Sequence, residues 1–336
     1  MKQGKFAVRS AAQVLKLATC AILSMTGLLG VPVSVAQDGW PSKAIRIIVP
    51  VAAGSATDLV ARQLAPKISE QLGQQVVVDN RPGADMGIGI IAAARSPADG
   101  YTWLLVSSTL TSSPVLKKVG FDPVTDFAPV SILGWAATVA VVPPALGVKN
   151  IAEFVALARS RPGQLNYANP AVGSMGHLNS AMLEHAAGID MAGVIYKGSS
   201  SAMVDLMANR VNFMMMPTGV ALSQVKSGNL LALGVVGQDR SPLYPDVPTL
   251  KEQGYAEVIL EAWMGVMMPA GTSPAIIKRA NEALSAALKD PGVKEALEQA
   301  GLRVTPNGTP QAFSERIRQD SMEWPKIFEV AKVKPE

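Results

Sequence analysis

The sequence predicts an α/β fold, in which parallel β-strands are covered by helices. Short apolar runs that suit strands alternate with runs that repeat apolar residues at helical spacing. Two consecutive strand–helix–strand units stand near the start of the chain, and such crossovers join parallel strands. With 336 residues, the chain is also long enough for two domains, each with its own core.

The first half of the chain supplies these two units. The run Ile47-Ile48-Val49 is the apolar centre of the first strand, and β-branched residues favour that structure. A small turn containing Gly54 follows, and Thr57-Asp58 is typical of a capped helix start. The predicted elements continue with a helix that ends at 72, a strand at 75–79, a helix at 87–95 and a strand at 101–106.

The second half repeats the alternation. We predict strands at 139–142, 165–168, 213–216 and 230–236, and helices at 151–159, from about Ser174, and at 276–288, 293–300 and 310–330. Long helices at the end of an α/β chain often return to cover the first domain. We therefore expect a discontinuous first domain at 37–137 plus 258–336, and a second domain at 138–257.

The first 36 residues match a secretory signal peptide. Four basic residues precede an apolar run from Leu17 to Val35, and Ser34-Val35-Ala36 is a small-x-small cleavage site. Without this segment the number of Lys and Arg residues falls from 30 to 26, equal to the 26 Asp and Glu residues. The net charge of the remaining chain therefore gives no reason to expect a nucleic-acid partner. Cys20, the single cysteine, is lost as well, so we expect no disulfide, thiol nucleophile or cysteine metal site.

The turn that contains Gly54 is a candidate anion site. A glycine-containing turn before a helix leaves unpaired backbone N–H groups at the positive end of the helix dipole, where carboxylates and phosphates bind. Taken alone, the segment is better explained as an ordinary strand-to-helix connection. The run from Ser107 to Thr109 follows another predicted parallel strand, at the edge where ligands of open α/β sheets collect. A polar loop without a ligand is the alternative there.

Enzyme and metal sites find little support in the sequence. His177 and His185 are the only histidines and lie on one predicted helix. A metal site would need more ligands than these two. Ser174 and His177 could belong to a catalytic triad, but no Gly-x-Ser-x-Gly motif is present. The run 87–89 lacks the spacing of a dinucleotide-binding loop. We therefore expect no catalysis, no metal and no cofactor.

Several short motifs occur in an order that is shared with a known family. They are Trp40-Pro41-Ser42-Lys43, Gly54 with Thr57-Asp58, Asn80-Arg81-Pro82-Gly83-Ala84, Ala98-Asp99-Gly100-Tyr101, Asp126-Phe127-Ala128-Pro129, Gly173-Ser174 with His177-Leu178, Tyr196-Lys197-Gly198, Arg240-Ser241-Pro242 with Pro245-Asp246-Val247-Pro248-Thr249, and Pro269-Ala270-Gly271-Thr272. In these motifs the chain resembles the Bug family, the extracytoplasmic solute receptors of tripartite tricarboxylate transporters. The resemblance covers essentially the whole mature chain.

The resemblance implies a two-lobed periplasmic binding protein of type II, with a mostly parallel sheet flanked by helices in each lobe. It implies a monomer in the periplasm that closes its cleft around a small carboxylate and meets the membrane subunits of a transporter. Backbone N–H groups of one turn in each lobe would grip the carboxylates. The implied ligand contacts are Ala53, Gly54, Ser55, Thr57, Asp58, Ser107, Ser108 and Thr109 in the first lobe, and Asn169, Gly173, Ser174, His177 and Met216 in the second.

Two departures from the family pattern bear on the ligand. The first turn reads Ala52-Ala53-Gly54-Ser55, where relatives usually have two prolines and two glycines, so it is less rigid. Met216 stands near a position where relatives commonly have an aspartate, which suggests an apolar contact. We therefore expect a dicarboxylate with an apolar or aromatic body. A sensory receptor for a membrane partner, or a hydrolase on the same scaffold, remains an alternative.

Overall fold

The computed structural model describes residues 39–169, 172–196 and 199–334. The predicted signal peptide at 1–36 and Cys20 lie outside these residues. In the part of the chain that the structure describes, no helix is both long and apolar enough to cross a membrane.

Helices and strands alternate along the chain, as the sequence predicts. In chain order the elements are β1 (Ile45–Val49), α1 (Ala56–Leu72), β2 (Val76–Asn80), α2 (Gly87–Ala94), β3 (Thr102–Ser107), α3 (Thr109–Leu116), β4 (Phe127–Ala136), β5 (Thr138–Val142), α4 (Ile151–Ser160), β6 (Asn166–Asn169), α5 (Met175–Ala187), β7 (Ala192–Ile195), α6 (Ser199–Met207), β8 (Met214–Pro217), α7 (Thr218–Lys226), β9 (Leu231–Val235), β10 (Ala262–Pro269), α8 (Pro274–Lys289), α9 (Pro291–Gln299), β11 (Leu302–Val304) and α10 (Pro310–Val330). The α/β class is therefore confirmed.

The largest sheet has six strands in the order β11-β4-β10-β3-β1-β2. Strand β1 pairs in parallel with β2 and β3, which are the strands of the two predicted strand–helix–strand units. The pairings β3–β10, β10–β4 and β4–β11 are antiparallel. Strands β1, β2, β3 and β4 therefore run in one direction, as predicted for a mostly parallel sheet, while β10 and β11 run against them.

Two smaller sheets come from the middle of the chain. One has the order β8-β5-β9 with both pairings antiparallel, and the other joins β6 and β7 in parallel. The N–H of Ala168 on β6 donates to the carbonyl of Phe213 at 2.9 Å, which links the two sheets just before β8. A parallel bridge between Tyr167 of β6 and Phe213 gives β6 the direction of β8, so β5 alone among these five strands runs against the others, and the predicted mostly parallel arrangement holds here.

The strands separate along the chain as the domain prediction requires. Strands of the six-stranded sheet lie within 45–136 and 262–304, and those of the smaller sheets within 138–235. The exact division into 37–137 plus 258–336 and 138–257 stays a prediction. Helix α10 contacts both groups of elements, because its Trp324 and Phe328 pack in one apolar cluster with Leu178 and Ala181 of α5.

Candidate functional site

The carboxyl ends of β1, β2 and β3 meet at one edge of the six-stranded sheet. Val49 at the end of β1 pairs with Asn80 at the end of β2, and Ile48 pairs with Leu104 of β3. Because these three strands are parallel, the turn after β1 and the loop at the end of β3 lie at the same edge. Ligands of open α/β sheets bind at such an edge.

The turn after β1 is held by side chains from the start of α1. Gly54 has φ of 81°, the left-handed region that favours glycine. The Ser55 hydroxyl accepts the Asp58 N–H at 3.3 Å as the N-cap of α1. In return, Asp58 Oδ2 accepts the Gly54 N–H at 2.8 Å. The turn is therefore fixed on both sides of its glycine.

The Asp58 carboxylate is buried and has a full set of partners. Arg62 Nε donates to Oδ2 at 2.9 Å and Asn80 Nδ2 donates to Oδ1 at 2.9 Å. The hydrogen bond from Arg62 is the main cause that lowers the pKa of Asp58 to about 2, against the opposing effect of burial. Asp58 thus stabilises the turn through buried hydrogen bonds, and its position does not favour a direct ligand contact.

Two backbone donors of this turn have no acceptor among the described residues. The Gly54 N–H is taken by Asp58, so the remaining helix-start donors are the N–H groups of Ala56 and Thr57. Ala53 and Gly54 are exposed, while Ser55 and Thr57 are half-buried. An anion at this turn would therefore meet the N–H groups one and two residues after Ser55.

A second turn repeats this geometry before α5. Gly173 has φ of 74°, and the Ser174 hydroxyl accepts the His177 N–H at 3.3 Å as the N-cap. The Gly173 N–H donates to His177 Nδ1 at 3.0 Å, just as the Gly54 N–H donates to Asp58. Both turns therefore follow the pattern Gly-Ser-x-x-acceptor. This repeat is not among the sequence predictions above, although the shared spacing of glycine, serine and acceptor is readable in the sequence.

His177 acts in the second turn as a neutral acceptor. Because Nδ1 accepts the Gly173 N–H, the ring proton of the neutral imidazole belongs on Nε2. The ring is buried, and burial lowers its pKa. The helix-start donors left without an acceptor among the described residues are the N–H groups of Met175 and Gly176.

The hydroxyl loop Ser107–Thr109 closes the end of β3. Ser107 Oγ donates to Thr109 Oγ1 at 3.1 Å, and both side chains are half-buried. Ser108 between them is buried, and its N–H donates to the Trp263 carbonyl at 3.0 Å. Ser107 and Thr109 are therefore partly exposed to solvent, while Ser108 is buried against the sheet.

Asn169 and Met216 are both buried. Asn169 ends β6, and its Oδ1 has no hydrogen-bond partner among the residues that the structure describes. Met216 has no exposed surface and packs with Met214 in one apolar cluster, while Met215 packs in another. The three methionines thus alternate between two clusters, as successive side chains of a strand do. The position of Met216 in the core does not favour the predicted apolar ligand contact.

A cavity of about 560 Å³ lies beside the second turn. It is lined by α5, β7 and residues 330–334, and His177 and Glu184 contribute side chains to it. Burial raises the pKa of Glu184, whose Oε1 accepts the Met191 N–H at 2.8 Å. Among the residues that the structure describes, no three His, Cys, Asp or Glu side chains are grouped so that they could hold a metal ion.

Comparison with known proteins supports a single family. The model of the tripartite tricarboxylate transporter family receptor, TctC, matches residues 60–332. The chain is 36% identical over 309 residues to the protein BugT of Bordetella pertussis. This match covers 90% of this chain and 94% of BugT.

Two solved structures share the fold. The periplasmic binding protein BugD superposes with a TM-score of 0.72 at 32% identity, covering 88% of this chain and all of BugD. The R. palustris protein Rpa4515 with adipate superposes with a TM-score of 0.75 at 30% identity, covering 89% of this chain and all of that protein.

Proposed function

This chain belongs to the tripartite tricarboxylate transporter receptor family, and from that premise we propose that it captures a small dicarboxylate in the periplasm for a membrane transporter. The predicted signal peptide at 1–36 would direct it to the periplasm, and it would act there as a monomer. Its partners would be the membrane subunits of the transporter. It would release its ligand chemically unchanged.

The repeated Gly-Ser-x-x-acceptor turn is the observation that carries this proposal. Each copy fixes the start of a helix and leaves two backbone N–H groups without an acceptor among the described residues, those of Ala56 and Thr57 in α1 and of Met175 and Gly176 in α5. Such donors at the positive end of a helix dipole bind carboxylates. Two such turns in the proposed two lobes suit a ligand with a carboxylate at each end.

The hydroxyl loop would complete the first carboxylate site. Ser107 ends β3 beside β1 and Thr109 begins α3, at the edge where the turn after β1 lies. Both residues are half-buried, and their hydroxyls could donate to the same carboxylate as the N–H groups of Ala56 and Thr57. In this proposal Gly54, Asp58, Gly173 and His177 hold the turns, while Ala53, Ser55, Ser174 and Asn169 line the cleft.

Closure of the cleft would supply the affinity. Each hydrogen bond to a charged group contributes about 1.5–3 kcal/mol once the site is dehydrated. A few such bonds, less the cost of ordering the lobes, suffice for a Kd on the order of 1 μM, or about −8 kcal/mol. The ligand would shift the population from open to closed, and the closed form would be recognised by the membrane subunits.

The ligand class is inferred from a relative and from the two anchoring turns. The similar protein Rpa4515 is described with adipate, which has an apolar chain between two carboxylates. We therefore propose an aliphatic or aromatic dicarboxylate of comparable length for this chain. Because Met216 is buried, the apolar body would contact other residues of the cleft.

Calorimetry on the mature chain from residue 37 tests the function. The titrants are adipate, succinate, malate and terephthalate, with hexanoate as a control that keeps the apolar chain but has one carboxylate. The proposal expects one equivalent of a dicarboxylate to bind and to be recovered intact, with hexanoate much weaker. Equal binding of hexanoate, or conversion of the bound compound, would contradict it.

A further inference from the structure

A buried carboxylate on the last helix is bonded to the hydroxyl loop region. Asp320 of α10 is 3% exposed. Its Oδ2 accepts the Thr111 hydroxyl at 2.8 Å and the Trp263 Nε1–H at 2.7 Å, and its Oδ1 accepts the Arg316 Nε–H at 2.6 Å. Thr111 lies 209 residues earlier in the chain, in the first turn of α3. One side chain therefore joins α10, α3 and β10.

Thr111 links this carboxylate to the backbone of Ser108. Its hydroxyl lies 2.8 Å from Asp320 Oδ2 and 2.9 Å from the Ser108 carbonyl, and it accepts the Trp324 Nε1–H at 3.0 Å. The Thr111 N–H also donates to the Ser108 carbonyl at 3.1 Å. The carbonyl side of Ser108 is thus fixed by Thr111, and the Thr111 hydroxyl is in turn oriented by Asp320.

Trp263 links the same carboxylate to the other side of Ser108. The indole N–H of Trp263 donates to Asp320, while its backbone carbonyl accepts the Ser108 N–H at 3.0 Å. Ser108 is therefore held at its N–H by Trp263 and at its carbonyl by Thr111. Both of these partners bond to one oxygen of Asp320. The two residues that flank Ser108 are Ser107 and Thr109, which are half-buried.

We propose that Asp320 is a positioning residue that sets the place of the Ser107 and Thr109 hydroxyls for the ligand. This inference rests on the proposed function, because it assumes that those hydroxyls meet a carboxylate. Burying a charge is costly, and an apolar side chain could fill the same volume without that cost. The carboxylate supplies what an apolar side chain lacks: acceptors for Thr111 and Trp263 in a fixed relative position.

The test compares ligand affinity with stability in matched variants. Asp320→Asn and Thr111→Val disturb the network, while Thr111→Ser keeps the hydroxyl. Glu315→Gln removes an exposed carboxylate from the same helix, and Leu284→Ala weakens the core in α8, which packs against α1 and β4. For adipate, we expect Kd to rise on the order of 10-fold in the first two variants and to stay near wild type in the other three.

Nuclear magnetic resonance supplies a readout that lost stability alone would not move. In folded Asp320→Asn and Thr111→Val, the amide resonances of 107–109 should shift. The Trp103 indole, which donates to the Gly100 carbonyl at 2.9 Å, should stay in place. Unmoved amides at 107–109, or unchanged affinity despite moved amides, would overturn the role of Asp320. So would an equal loss of affinity in Leu284→Ala.

The two proposals fail in distinguishable ways. If the wild-type chain binds no dicarboxylate, the proposed function is overturned, and the ligand role of Asp320 is overturned with it. If the wild-type chain binds adipate and the Asp320 and Thr111 variants bind it equally well, only the positioning role is overturned.

Discussion

Asp58 Oδ2 accepts the backbone N–H of Gly54 at 2.8 Å, and His177 Nδ1 accepts that of Gly173 at 3.0 Å in the same arrangement. In each turn, a side chain from the helix start reaches back over the N-cap serine to the glycine. One acceptor is an anion and the other is a neutral imidazole. The shared geometry predicts that the two turns respond to mutation in the same way and to pH over different ranges.

Replacing Asp58 tests whether it holds the first turn. Asp58→Ala leaves the Gly54 N–H, Asn80 and the Arg62 guanidinium without their shared acceptor, so unfolding should become easier by about 1–3 kcal/mol. Asp58→Asn keeps an oxygen for the Gly54 N–H and should lose less. Thermal unfolding of both variants checks this, with Glu70→Gln as an exposed control on α1. A Glu70→Gln loss as large as that of Asp58→Ala would contradict the prediction.

Acid titration should show the low pKa of Asp58. The pKa is about 2 in the fold and 3.8 in the reference state, so the unfolded chain binds the proton first. The stabilisation is present above pH 3.8 and is lost as the pH falls through 2. It amounts to about 1–2 kcal/mol, because the Arg62 partner is half-exposed and screened. The free energy of unfolding, measured in denaturant from pH 5 to 2, should fall less steeply for Asp58→Asn than for wild type.

His177 should give a separate pH response at milder acidity. Burial lowers its pKa, so the unfolded chain takes up this proton first, and stability should fall as the pH drops from 6.5 through the folded pKa. Protonation of Nδ1 also removes the acceptor of the Gly173 N–H. His177→Asn places a non-titrating oxygen near Nδ1 and should flatten this part of the profile. The exposed His185→Asn is the control, and a flattening by that variant instead would rule the assignment out.

The Ser107 and Thr109 hydroxyls should matter for binding more than for stability. Both residues are half-buried, and the Ser107 hydroxyl donates to that of Thr109. Thr109→Val should weaken dicarboxylate binding by about 10-fold, with little change in the thermal midpoint. Calorimetry and thermal unfolding check this beside Ser227→Ala, an exposed control in the α7 region. Wild-type affinity in Thr109→Val would remove the loop from the proposed site.

Local patterns predict much of the fold and of the first turn. The apolar spacing of Val60, Leu64, Ile68 and Leu72 places one face of α1, and all four residues are buried there. The glycine turn and its cap are equally local features. Strand β10 is different, because an apolar run does not indicate in which direction its strand pairs with its neighbours. Its place between β3 and β4 depends on long-range pairing.

Parts of the candidate site depend on contacts that no local pattern contains. Asp320 and Thr111 are 209 residues apart, so their hydrogen bond is invisible until the chain is folded. The apolar character of Met216 suggested a ligand contact, although a residue of that kind suits the core equally well. The Gly-Ser-x-x-acceptor repeat was accessible from the sequence, but only the structure shows that Asp58 and His177 bond back to the glycines.

A crystal structure of the mature chain with adipate tests the central claim most directly. The account predicts one carboxylate at the N–H groups of Ala56 and Thr57 and the other at those of Met175 and Gly176. Adipate in the cavity beside Glu184, with both turns empty, would contradict it.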